Sequence, residues 1–229
     1  MLLTRVRSQA GMTLVELLAA MSIAMITMLA VFAVLDTSVK QSNAVAGRVN
    51  ATQRARLAMD AITRQLRSQI CMSATNPAVV SGTNDTVKFH ADLSDGTRRV
   101  EQRELVFDPT AMTITERTWP AVVDALGAMT FPTMSRSRQM LEEVTRRPAP
   151  DAAIFRYYAY STATPPRPSI LLPTPLNAAD RARVAKIDVG FTTLPPKARP
   201  TTAASVILQN EVYVRVADPN DPAPTPTCV

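Results

Sequence analysis

Residues 12–35 form a run of 24 that holds one ionisable side chain, Glu16, and no proline. At a rise of about 1.5 Å per residue, a helix of that length spans the ~30 Å hydrocarbon thickness of a bilayer. The run predicts a transmembrane helix. A cleaved secretory signal would have an apolar core of only about 7–15 residues, followed closely by a small-x-small site. Here Ala44-Val45-Ala46 has the right residues but lies well beyond the core. Arg5 and Arg7 precede the run, so the positive-inside rule keeps residues 1–11 in the cytoplasm and sends everything beyond residue 35 out. Lys40 and Arg48 weaken that asymmetry slightly.

Glu16 is the anomaly, because a charge at the bilayer centre costs on the order of 2.5–3.5 kcal/mol and somewhat less near the edge. One reading is a carboxylate at the interface of an ordinary signal anchor. The other is a group that awaits a cation on another chain. Cleavage after Gly11 would create such a cation, the α-amino group of Met12, at the depth of Glu16 in a neighbouring subunit. The pair would neutralise both charges in lipid.

Gly11-Met12-Thr13-Leu14-Val15-Glu16 resembles, position by position, the prepilin signature of the type IV pilin and pseudopilin family. That signature is a Gly, a hydrophobic residue, Thr, Leu, an aliphatic residue and Glu at the fifth mature position. The resemblance implies cleavage after Gly11 by a prepilin peptidase on the cytoplasmic side of the inner membrane. It further implies methylation of the Met12 amine and assembly with other pilin or pseudopilin subunits through Glu16. Met12 stands where Phe is usual, at a position that mainly needs a hydrophobe. Many major pilins carry a proline in the membrane segment, and its absence here points toward a minor subunit.

The net charge of +6 suggests nucleic acid until it is divided along the chain. Residues 1–35 carry +1 and residues 36–70 carry +4, whereas residues 71–229 carry 17 basic against 16 acidic groups. The basic excess belongs to the predicted helix, and nucleic acid, though a conceivable partner, is not indicated by so nearly neutral a head.

All 18 prolines lie at or after Pro77, so one helix can run on past the membrane segment. In residues 36–70, Ala55, Met59, Ile62, Leu66 and Ile70 recur at helical spacing, an amphipathic stripe that needs a sheet to cover it. Asp60 and Arg64 are spaced for an i,i+4 pair. Gly47 costs about 1 kcal/mol relative to Ala in a helix interior; it is either tolerated or marks a bend.

Beyond Cys71 the periodicity changes to two. Val87, Phe89, Ala91 and Leu93 alternate with Lys88, His90 and Asp92, a strand with one buried face. A turn at Ser94-Asp95-Gly96-Thr97, a strand ending near Phe107 and a third from Met112 to Trp119 complete an antiparallel meander over the stripe. Residues 136–146 read as a short charged helix, ended by Pro148-Ala149-Pro150. Strands resume at residues 153–160, 183–191 and 205–217. Proline-rich stretches at 165–175 and 194–200 between them cannot be central strands. The fold class is α+β: a leader (1–11), a transmembrane helix (12–35), its amphipathic continuation (36–70) and an extracytoplasmic β-rich head (71–229). A long helix, a meander, a Phe155-Arg156-Tyr157-Tyr158 strand and a final strand resemble the J-type minor pseudopilins of type II secretion and the W-type minor pilins.

Catalytic constellations are nearly absent, and no enzyme activity, cofactor or metal is expected. His90 is the single histidine and reads as a solvated strand residue, because no third partner can be placed beside it and Asp92. One His and two Cys give no zinc-ligand spacing, and six glycines build no phosphate cradle. The Phe155–Tyr160 aromatics could stack on a single strand of nucleic acid, but alternate strand residues must face the core, which favours packing. Cys71 and Cys228, both outside the membrane, are expected to form a disulfide that tethers the proline-rich tail; two free thiols are the other reading. Two functions of different class remain. One is a processed subunit built into or onto the tip of a pilus or pseudopilus at the surface of a bacterial cell. The other is a signal-anchored extracytoplasmic binding module, for instance a DNA receptor in uptake, that stays out of any filament.

Overall fold

The structure, a computed structural model, describes residues 12–73, 76–92, 100–125, 127–163, 166–195 and 205–214. It divides into two compact units, Met1–Ala46 and Gly47–Val229. The boundary falls beside Gly47, the weakest helix former in the sequence between the membrane segment and the head. Helix α1 runs from Leu14 to Arg67.

In the first unit every described residue of α1 is exposed. Among the described residues α1 is the one helix long and apolar enough to cross a membrane.

In the second unit the predicted stripe is the buried one. Ala51, Ala55, Ala58, Met59, Ile62 and Leu66 of α1 are buried, and from Ala55 onward they join one continuous cluster with both sheets of the head. The stripe stops short of Ile70, because α1 ends at Arg67. There the Ser68 Oγ donates to the Gln65 carbonyl (2.7 Å), and the chain becomes extended. Ile70 N–H donates to His90 O (3.0 Å), and Asp92 N–H donates to Ser68 O (3.1 Å). Pairing with a strand replaces the last helical turn. No ion pair joins Asp60 to Arg64 among the described residues.

The first sheet has five antiparallel strands: β1 (Val79–Gly82), β2 (Thr86–Asp92), β3 (Val100–Asp108), β4 (Thr113–Pro120) and β7 (Arg136–Leu141), in the order β1-β2-β3-β4-β7. The β2-β3-β4 meander matches the sequence reading, and Val87, Phe89 and Ala91 are buried as the alternation requires. Leu93 and the turn at residues 94–97 lie outside the described residues. A two-residue ribbon, β5 (Val122–Val123) with β6 (Met129–Thr130), leaves the end of β4 as a separate small sheet.

Residues 136–146 are not a helix: they form β7 and β8 (Val144–Thr145). Glu143 between them has φ 56°, a left-handed conformation that no α-helix accommodates. The charges of the expected short helix are used across strands instead. Glu116 of β4, 4% exposed, accepts from Arg103 of β3 (2.5 Å), from Arg138 of β7 (2.7 and 3.1 Å) and from Gln65 of α1 (2.8 Å).

The second sheet has β9 (Phe155–Tyr160), β10 (Pro168–Leu171), β11 (Lys186–Thr193) and β12 (Val206–Tyr213) in the order β10-β9-β11-β12, with β8 also pairing β11. β10 lies inside the proline-rich stretch and is an edge strand whose first residue is Pro168, where a missing N–H costs least. The short α2 (Ala178–Arg183) precedes β11; the Asn177 side chain caps it by accepting from Asp180 N–H (2.8 Å). Phe155, Tyr157 and Tyr160 are buried, as core packing demands. The Tyr157 hydroxyl donates to Thr86 O (2.7 Å), and its ring passes so close to Gly82 that a Cβ there would lie 2.5 Å from Cζ. Only glycine fits under that ring.

Candidate functional site

Thr13 starts the helix. Its Oγ1 accepts from the Glu16 N–H (3.3 Å) while its carbonyl accepts from the Leu17 N–H (3.1 Å), the hydroxyl half of a capping box. A Ser/Thr-x-x-Glu pattern ahead of an apolar run is a sequence signal for this arrangement, and the role of Thr13 was legible there without being drawn. Glu16 thereby falls in the first turn of α1, where the helix dipole favours a negative charge.

The other polar side chains of the apolar run are satisfied by the helix itself. Ser22 Oγ donates to Leu18 O (2.8 Å), and Thr27 Oγ1 donates to Ile23 O (3.0 Å) and Ala24 O (2.9 Å). This is how hydroxyls are carried in a medium with no water to serve them. The Glu16 carboxylate has no hydrogen-bond or ion-pair partner among the described residues. It is the single side chain of residues 12–35 whose polar atoms are not provided for within its own helix. Met12 is described and exposed, one residue before the cap; Gly11 lies outside the described residues.

Cys71 follows the end of α1, its Sγ beside the carbonyls of Ser73 (3.7 Å) and Asn76 (3.8 Å). No cysteine among the described residues is free. Cys228 lies outside them.

His90 corrects the sequence reading. It is 4% exposed, not solvated. Its Nδ1 lies 3.1 Å from Pro77 O, its Nε2 3.4 Å from Gln102 Nε2, and its ring packs on Phe131 at 5.2 Å between centroids. The strand alternation failed here because the ribbon foot covers the second face of β2. Burial holds the imidazole below its ordinary pKa, against the opposing effect of the Pro77 carbonyl and with a smaller push from Lys88. Among the described residues no group of three or more His, Cys, Asp or Glu is placed to hold a metal ion.

The family model for the prokaryotic N-terminal methylation motif matches residues 6–32. That span contains the capped start of α1, Glu16 and most of the apolar run, and the match supports the type IV pilin and pseudopilin family, whose members are structural proteins. No curated protein matches the chain.

Proposed function

From the premise of a prepilin-type N-terminus, we propose that this chain is a minor pilin or pseudopilin, a structural subunit of a type IV pilus or type II secretion pseudopilus. Prepilin peptidase cuts after Gly11 on the cytoplasmic side, the Met12 amine is methylated, and the head is carried outside the inner membrane. The new amine adds positive charge to the helix end that already carries the positive end of the dipole. Its counter-charge is Glu16 of an adjoining subunit, which fixes one axial register for assembly in or at the tip of the filament. A Cys71–Cys228 disulfide tethers the tail.

One observation carries this reading: within an apolar run whose hydroxyls are all internally bonded, Glu16 alone has no partner among the described residues. Removing the 11-residue leader from the 229-residue chain leaves 218 residues. Intact mass of the membrane-extracted protein should match those residues starting at N-methyl-Met12, and Gly11→Ala should leave full-length precursor. Glu16→Ala should preserve processing and head folding while lowering incorporation into filaments more than Leu18→Val does. Equal incorporation of both variants would favour the signal-anchored binding module.

A further inference from the structure

The face of the first sheet that meets α1 through Glu116 is apolar only in part. Register lays two neighbouring rows across it: Phe89, Arg103, Thr118 and Arg136, then Val87, Leu105, Glu116 and Arg138. On β2 both rows begin in the core, where Phe89 and Val87 are fully buried. On the edge strand β7 both end in a guanidinium. The polar members of the two rows, with Glu101 and Ser135, line a cavity of about 320 Å³.

The charges of this cavity do not cancel. Three guanidinium groups stand against two carboxylates, and no other ionisable side chain among the described residues lines it, so one positive charge is left over. Arg103 uses all three of its nitrogens: Nε and Nη2 donate to Glu101 (3.1 and 2.7 Å), and Nη1 donates to Glu116 (2.5 Å). Glu116 also accepts from Nε and Nη2 of Arg138 and from Gln65, so neither carboxylate calls for a further cation. Donors remain. Arg138 Nη1 and the whole Arg136 guanidinium donate to nothing among the described residues. The Thr118 hydroxyl makes no hydrogen bond there either, although Thr118 is 6% exposed and stands between Arg103 and Arg136 in its row. Ser135 Oγ is used, donating to Thr118 O (3.2 Å).

An arginine on an edge strand can serve merely to keep other strands away. Arg136 does more than face outward, because it shares a cavity wall with a buried hydroxyl and with a second guanidinium whose position Glu116 fixes. A set of donors left without an acceptor calls for an oxyanion, which guanidinium groups bind through paired N–H bonds. The leftover charge selects among oxyanions. One carboxylate neutralises it, whereas a phosphate group of about −1.5 to −2 at pH 7 would leave negative charge beside Glu101 and Glu116. The volume, at the small end of the range for ligand sites, suits a small acid or a single acidic side chain.

We infer that Arg136, Arg138 and Thr118 form a binding site for one carboxylate, carried by a small free acid or by an Asp or Glu side chain of another chain. Arg136 supplies the paired donors, Arg138 Nη1 and the Thr118 hydroxyl supply the others, and Glu116 holds Arg138 in place from behind. The site lies wholly within the head and stands or falls apart from the filament reading.

Phenylglyoxal modification of the purified full-length protein in detergent, mapped by peptide mass, reads the site one arginine at a time. As acetate replaces chloride at constant ionic strength, the rate at Arg136 should fall by a factor of 1 + [acetate]/Kd, about threefold at twice Kd. Arg56 and Arg64, exposed on α1, should react at unchanged rates. Arg136→Gln should keep the wild-type Tm, since the side chain bonds to nothing described, and should abolish acetate protection of Arg138. Inorganic phosphate should protect less than acetate at equal concentration. N-acetylglutamic acid α-amide separates the two sources: protection by it as well as by acetate admits a protein side chain, and protection by acetate alone assigns free acids. An unprotected Arg136, equal protection of Arg56 and Arg64, protection of Arg138 that survives Arg136→Gln, or stronger protection by phosphate would each overturn the inference.

Discussion

The two halves of α1 are one helix by backbone and two different solutions by side chain. In residues 12–46 nothing is buried, and the hydroxyls of Ser22, Thr27 and Thr37 turn back on carbonyls of the same helix. From Gly47 on, Ala51, Ala55 and Ala58 are buried, and all but Ala51 share one core cluster with Met59, Ile62, Leu66 and residues of both sheets. The polar group that matters also changes character. Glu16 has no partner among the described residues, whereas Glu116 beneath the second half is saturated by Gln65 and two arginines. The apolar half of the helix leaves the carboxylate of Glu16 without a partner among the described residues, and the half against the core makes its polar contacts within the head.

The sharpest way to break the second half is to remove Glu116. Glu116→Ala strands Gln65 and two guanidinium groups and should cost about 3–5 kcal/mol, toward the lower end because Arg103 keeps Glu101 (2.7 Å). Urea unfolding of the full chain in detergent measures it; a loss below about 1 kcal/mol would mean that the network does not pin α1 to the sheet.

Next, one chemical change made in both halves tests the contrast itself. Ile62→Ala should cost about 2–5 kcal/mol through the cavity it leaves, since Ile62 is fully buried. Ile23→Ala removes the same atoms from an exposed site and should leave the Tm of the head unchanged. Equal effects would erase the distinction.

The smallest effect expected is a pH dependence confined to the second unit. Because burial lowers the folded-state pKa of His90, both states are neutral above about pH 6.5 and the histidine costs nothing there. As pH falls through 6.5 the unfolded chain takes the proton first, so stability declines until the folded-state pKa is passed. Asp108, held low by the N–H groups of Ala111 and Thr110, loses its contribution only at more acidic pH. Tm should therefore drop between pH 7.5 and 5.5 in the wild type and stay flat over that window in His90→Gln.

The helix, its stripe and the meander were legible because each repeats one period over many residues: apolar residues throughout 12–35, a 3.6 spacing at Ala55, Met59, Ile62 and Leu66, and strict alternation in β2. Charge misled at residues 136–146, where Arg138 answers a glutamate 22 positions earlier in sequence, a contact that no local pattern reveals. His90 misled for a related reason. Alternation assigns one face of β2 to the core but carries no information about a ribbon that returns over the other face. β10 and α2 are too short to show a period, although Asn177 three residues before Asp180 was a readable cap. The capping role of Thr13 was readable in the same way.

The hydroxyl bonds of the first unit have a mechanical side. A carbonyl that accepts from a serine or threonine as well as from its regular N–H holds the latter less firmly, and helices bend where this happens. Ser22, Thr27 and Thr37 place such softened points along the apolar half of α1, with no proline among them. With three such points and no proline, bending under side load is expected to spread over several turns of α1 with no single hinge.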